Sequence, residues 1–134
     1  GVDRRALGAR VIGQRAEMAA LEAIVHPAVA RCRHAFLRRH RAHRFVLLDI
    51  PLLFETGGAR AMDMVILVSA PAFVQHRRVL ARPGMTRRRL AQIKASQLPD
   101  RVKRARADRI IETARPKSCT YREIARLVAC LRAS

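Results

Sequence analysis

The stretch FVLLDIPLLFE, residues 45–55, decides how the rest of this chain is read. Phe45, Val46, Leu47 and Leu48 make an apolar run of the kind found in a strand buried on both faces. Asp49 stands at its carboxyl end, and Pro51 stops it, because proline has no N–H to give to a ladder. In an open α/β sheet the ligand crevice lies off the carboxyl ends of the strands, where Asp49 and Glu55 would stand. The same residues also fit a core strand that merely ends in a polar turn, since Asp-x-Pro is ordinary turn chemistry.

On the amino-terminal side of this stretch the pattern is helical. Asp3 suits the N-cap of a helix over about residues 4–12, with Leu7, Val11 and Ile12 on one face. A second helix is expected over about 16–25, with Met18, Leu21 and Val25 on one side. His26-Pro27 is expected to break it, because the residue before proline is pushed out of the helical region. Pro27 then opens a third helix with Val29, Cys32, Phe36 and Leu37 as its apolar stripe. That helix closes on RRHRAHR, residues 38–44, a basic end that suits the helix dipole.

On the carboxyl side, MVILV at 64–68 is a second buried-type strand. A helix follows over about 72–81, and Pro83-Gly84 marks a turn. Thr86 is placed to cap a basic helix over 87–96, Pro99 closes it, and residues 101–106 are helical and charged. RIIE at 109–112 is a third short strand. Thr120-x-x-Glu123 reads as a capping box opening a last helix, in which Ile124, Leu127, Val128 and Leu131 follow the helical repeat. Strands alternating with helices indicate a parallel sheet.

The 134 residues are enough for one domain with a single core, and half of them are apolar. No apolar run approaches the ~20 residues of a membrane helix, and the first residues contain no signal-like apolar core. A soluble, cytoplasmic protein is expected. Cys32, Cys119 and Cys130 form no C-x-x-C pair, so neither a zinc site nor a disulfide framework is indicated. His34, His40 and His43 lack the spacing that puts two ligands on one helical face, and read as a solvated basic helix end.

The net charge is +18, with 25 Arg against 3 Lys. Arginine binds phosphates bidentately, which suits nucleotides and acidic cofactors. A basic surface also binds nucleic acid through counterion release. A genome rich in G and C produces the same excess, and the spread of Arg along the whole chain fits that origin. One Tyr, four Phe and no Trp leave few platforms for stacking single strands.

Six blocks in order then carry a family resemblance: DRRALGARV (3–11), LEAIVHP (21–27), LLDIPLLFETG (47–57), DMVILVSAP (63–71), QHRRVLARPGMTRRRLAQIKASQ (75–97) and KRARADRIIET (103–113). Together they resemble the dephospho-CoA kinase family, P-loop enzymes that phosphorylate the ribose 3′-hydroxyl of dephospho-CoA with ATP in the last step of coenzyme A biosynthesis. The resemblance implies an α/β fold, a P-loop kinase-like three-layer parallel sheet with a helical lid at about 72–106, in a single domain over 1–134. It implies ATP and Mg²⁺ as cofactors, dephospho-CoA as acceptor and no membrane partner.

The departures bear on activity. The family's G-x-x-G-x-G-K-[ST] sequence and its D-A-D segment, which carries the proposed base, do not occur in these residues. The expectation is therefore an incomplete domain without its N-terminal strands and P-loop, inactive by itself. By resemblance His26, Pro51, Leu52, Leu53 and Glu55 border the acceptor. Pro51, Leu52 and Leu53 would give an apolar wall, and Glu55 and His26 would hydrogen-bond polar groups. The competing readings are helix termination for His26-Pro27 and core packing for Leu52 and Leu53. Asp49 would orient a magnesium-bound water; its other reading is a turn carboxylate.

Arg78 and Arg82, four apart and so on one helix face, would stabilise charge on the transferred phosphoryl group from the lid. Gln97 and Lys103 match recurrent family positions without an evident chemical role. Two other functions stay in competition. One is a basic nucleic-acid-binding module, for which no motif is present. The other is a non-catalytic pseudo-kinase that keeps acceptor binding.

Overall fold

Asp3 starts the first helix as its sequence requires. Its Oδ1 accepts the Ala6 N–H at 3.1 Å, satisfying one of the donors a helix start leaves open. This computed structural model describes residues 1–11 and 13–133, in two compact units, Gly1–Asp49 and Ile50–Ser134. In the first unit, α1 (Arg4–Val11) buries Val11 and packs against α2 (Arg15–Arg39). The expected place of Ile12 on the α1 face lies outside the described residues. Gly13, at φ 89°, turns the chain between the two helices in a conformation glycine adopts freely.

α2 runs through His26-Pro27 without interruption, where the sequence pattern places a break. Pro27 lacks the N–H that would reach the Ala23 carbonyl, a loss of about 3 kcal/mol relative to alanine. Good helix formers on both sides carry the helix across that gap. After α2, residues 45–50 do not form the expected strand. They keep a strand's alternation: Phe45, Leu47 and Asp49 are exposed, while Val46, Leu48 and Ile50 are partly covered. What they lack is a ladder, since the sheet among the described residues contains only two other strands. Without a partner an apolar run is extended chain at most.

The second unit holds a 3₁₀ turn (Gly58–Ala61), β1 (Ile66–Ser69), α3 (Ala72–Leu80), α4 (Arg87–Ala95), α5 (Asp100–Arg106), β2 (Arg109–Glu112) and α6 (Lys117–Ala133). β1 and β2 are parallel, with Ile66 opposite Arg109 and Ser69 opposite Glu112. Parallel strands need a crossover connection, and α3, α4 and α5 provide it. α5 packs on β1, α6 on β2, and α3 on α4. The core is Val65, Ala70, Val74, Leu90 and Ile111 together with Ser69.

Helix ends in this unit follow local chemistry. Thr86 Oγ1 accepts the Arg89 N–H at 3.2 Å and caps α4 as expected. α3 stops at Leu80, so Arg82 lies in the turn beyond it and not on the helix face expected for it. The cause is Pro83, which disfavours the helical region at the residue before it. α6 begins at Lys117, directly after Pro116, and not at Thr120. Thr120 Oγ1 instead donates to the Glu112 carbonyl at 3.5 Å. Among the described residues no helix is long and apolar enough to cross a membrane.

Candidate functional site

The carboxyl ends of β1 and β2 gather a cluster of side-chain polar contacts. Ser69, buried at the end of β1, donates its hydroxyl to Asp100 Oδ1 at 3.0 Å. Asp100 opens α5, where a carboxylate also suits the helix dipole. Arg104, one turn on, sits 3.6 Å from Asp100 and donates to Glu112 Oε1 at 2.6 Å. A chain Ser69–Asp100–Arg104–Glu112 thus ties α5 across the ends of both strands. The Arg104 guanidinium is held above its ordinary value, first by the hydrogen bond to Glu112, against opposing desolvation, then by the charges of Glu112 and Asp100.

Thr113 follows β2 and extends the pairing. Its N–H and hydroxyl both donate to the Ser69 carbonyl, at 2.9 and 3.0 Å. Arg78 reaches from α3 to the same place. Its Nη1 donates to Thr113 Oγ1 at 3.1 Å and its Nη2 to the Thr113 carbonyl. Arg78, singled out from the sequence, is therefore held at the carboxyl edge of the parallel pair, where α/β sheets place ligands. Arg82 is exposed and has no side-chain partner among the described residues.

Residues 51–57 form a closed turn. The Thr56 N–H and hydroxyl both return to the Leu52 carbonyl at 3.0 Å, and the Gly58 N–H to the Leu53 carbonyl at 3.0 Å. Gly57 has φ 72°, suited to glycine, but Leu52 has φ 59° and is the described non-glycine residue in that region. The residue is 41% exposed. Pro51 is exposed and Leu53 half-buried.

Glu55 is turned inward. Its Oε1 accepts the Leu98 N–H at 2.8 Å, and Lys103 Nζ stands 3.8 Å from it. Lys103 Nζ also donates to Gln97 Oε1 at 3.5 Å. Sequence reasoning found Gln97 and Lys103 but not their use. Gln97 is held by Lys103, and the charged partner of Lys103, Glu55, lies more than forty residues earlier, where spacing along one element cannot show it.

In the first unit His26 is an exposed residue within α2, and Asp49 is exposed with no partner among the described residues. Among the described residues no group of three or more His, Cys, Asp or Glu is placed to hold a metal ion.

Comparison with known proteins then places the chain. The dephospho-CoA kinase family model matches residues 1–116. The dephospho-CoA kinase of Novosphingobium aromaticivorans is 52% identical over 132 residues, 98% of this chain and 66% of the relative. That of Mesorhizobium japonicum is 51% identical, over 98% of this chain and 68% of the relative. That of Rhodospirillum rubrum is 55% identical, over 84% and 54%. The chain thus spans about two thirds of the length of the first two relatives and about half of the third. A crystal structure of a Thermus thermophilus protein superposes with a TM-score of 0.78 at 38% identity, covering 95% of this chain and 66% of that one. Since the family match takes in the 51–57 turn, both strands and the three helices between them, the chain belongs to the dephospho-CoA kinase family.

Proposed function

We propose that this chain serves the ATP-dependent phosphorylation of the 3′-hydroxyl of dephospho-CoA, and that its part is the acceptor wall and the lid. The observation that carries this reading is Leu52. A leucine at φ 59° costs about 1–2 kcal/mol, and this residue is 41% exposed. Strain of that kind persists where the surrounding structure imposes it, and it clusters at ligand clamps. An acceptor lying on Pro51, Leu52 and Leu53 would cover that side chain.

Arg78, at the carboxyl edge of the sheet, and Arg82, exposed after α3, are assigned to the transferred phosphoryl group. Arg78 would exchange its hold on Thr113 for phosphate oxygens, both being acceptors for its two-pronged donor set. His26 and Asp49 enter by resemblance alone. When bound, magnesium would neutralise charge on the phosphates. The finer architecture belongs to the same reading: one domain over 1–134, a three-layer parallel sheet and a lid at about 72–106, as does a cytoplasmic location.

These residues contain no glycine-rich loop ending in Lys-Ser or Lys-Thr. Phosphoryl transfer relies on such a cradle, so no turnover is expected from them alone. The test incubates the chain with ATP, magnesium and dephospho-CoA. Dephospho-CoA is retained with the protein on ultrafiltration, and no coenzyme A forms. Retention of duplex DNA in its place, lost steeply with salt, would contradict the reading and favour a nucleic-acid-binding module.

A further inference from the structure

One largely buried carboxylate joins the 51–57 turn to the base of the lid. Glu55 and Lys103 have side chains only 13% and 19% exposed. Leu98, whose N–H Glu55 accepts at 2.8 Å, lies in the short connection between the end of α4 at Ala95 and the start of α5 at Asp100. Lys103 stands on α5 and reaches both Glu55 and Gln97. The carboxylate therefore grips that connection by its backbone and, through Lys103, by the helix that follows. A covered carboxylate with a charged donor and an N–H holds its place, because releasing either leaves an unsatisfied charge.

The turn on the other side of this contact is closed by its own hydrogen bonds. Its Leu52 and Leu53 carbonyls are tied to Thr56 and Gly58, so Glu55 cannot shift without them. A cavity of about 550 Å³ is lined by Phe54, Gly57, Ala59 and Arg60 from the turn side and Arg106 from the end of α5. Glu55 is a polar tie between the two segments. Hinges are a few residues at element ends of this kind.

We infer that Glu55 is a positioning residue: its contacts with Leu98 and Lys103 transmit occupancy of the Pro51, Leu52 and Leu53 wall to the α4–α5 connection, and so set the lid from the acceptor side. This rests on the acceptor reading above. It gives Glu55 a role through the lid base, distinct from direct contact with the acceptor.

The test is amide hydrogen exchange at Leu98 in the 134-residue chain, with and without dephospho-CoA. Glu55→Ala removes the acceptor of the Leu98 N–H, and exchange there is expected to speed by about tenfold, with Val74 in α3 unchanged. Glu55→Gln keeps an acceptor oxygen and the shape but loses the charge facing Lys103. It is expected to restore most of the protection, and it keeps the test usable if Glu55→Ala does not fold. Saturating dephospho-CoA should slow Leu98 exchange further in the wild type. In Glu55→Ala, saturating dephospho-CoA should leave Leu98 exchange unaltered.

Leu98 protection unchanged in both variants, or ligand-dependent slowing retained in Glu55→Ala, would overturn the inference. So would a loss of dephospho-CoA affinity in Glu55→Ala that matched the loss of slowing, which is the mark of direct contact. If the wild type binds no dephospho-CoA, the acceptor reading and the transmission from it fail together. The variants' Leu98 exchange without ligand would still decide whether Glu55 holds the lid base.

Discussion

Leu52 and Thr113 show what single residues do at this site. Leu52 sits in a conformation that leucine disfavours and is an exposed residue. Thr113 does the opposite and satisfies every group near it: two donors to Ser69 and two acceptors for Arg78. Thr113→Val keeps the shape and the backbone contacts but removes the hydroxyl from both partners. A loss of about 1–2 kcal/mol in urea unfolding is expected, since two hydrogen bonds go. An unchanged midpoint would show that water replaces the hydroxyl at no cost. Arg104 adds no pH dependence near neutrality. A guanidinium whose value is raised contributes fully below its ordinary value and loses that contribution only in strong alkali. At this scale the sequence was informative about Leu52, Glu55 and Arg78 as positions, but silent on their partners. Thr113 lies 35 residues from Arg78 and Leu98 lies 43 from Glu55, and only the parallel crossover brings them together.

Elements were legible where a local signal decides them. Asp3 and Thr86 cap their helices as their types dictate, and the alternation of strands with helices gives the parallel pair. They were illegible where a signal needs a distant partner or is outweighed by its neighbours. Residues 45–50 have the composition and side-chain alternation of a strand but no ladder. Pro27 carries a strong break signal, yet helix formers on both sides run α2 through it. Because Pro27 costs α2 a hydrogen bond, Pro27→Ala should raise its stability by about 2–3 kcal/mol. Increased helical circular dichroism and slower amide exchange around Ala23 would report it. No change in either would mean the proline causes no local weakness.

For the molecule as a whole, charge and uncovered apolar surface set the terms of any binding experiment. With a net charge of +18, any anion is attracted at low salt. Val68 on β1 is 63% exposed and Phe73 on α3 71%, so apolar adsorption is a second background. The family was legible from the sequence because six motif blocks keep their order over nearly the whole chain. The backbone of the 51–57 turn was not, because it depends on the φ of Leu52 and Gly57 and on hydrogen bonds that spacing does not show. A specific acceptor site must therefore survive salt and depend on the turn. The most direct measurement is calorimetric titration of dephospho-CoA into the wild type and Leu52→Gly at low and high salt. Glycine relieves the strain at φ 59° while removing the wall, so the variant should be at least as stable. The account predicts saturable one-to-one binding that persists at high salt and weakens by about tenfold in Leu52→Gly, the worth of one leucine contact. Heats that vanish with salt, or equal affinity in wild type and variant, would contradict it.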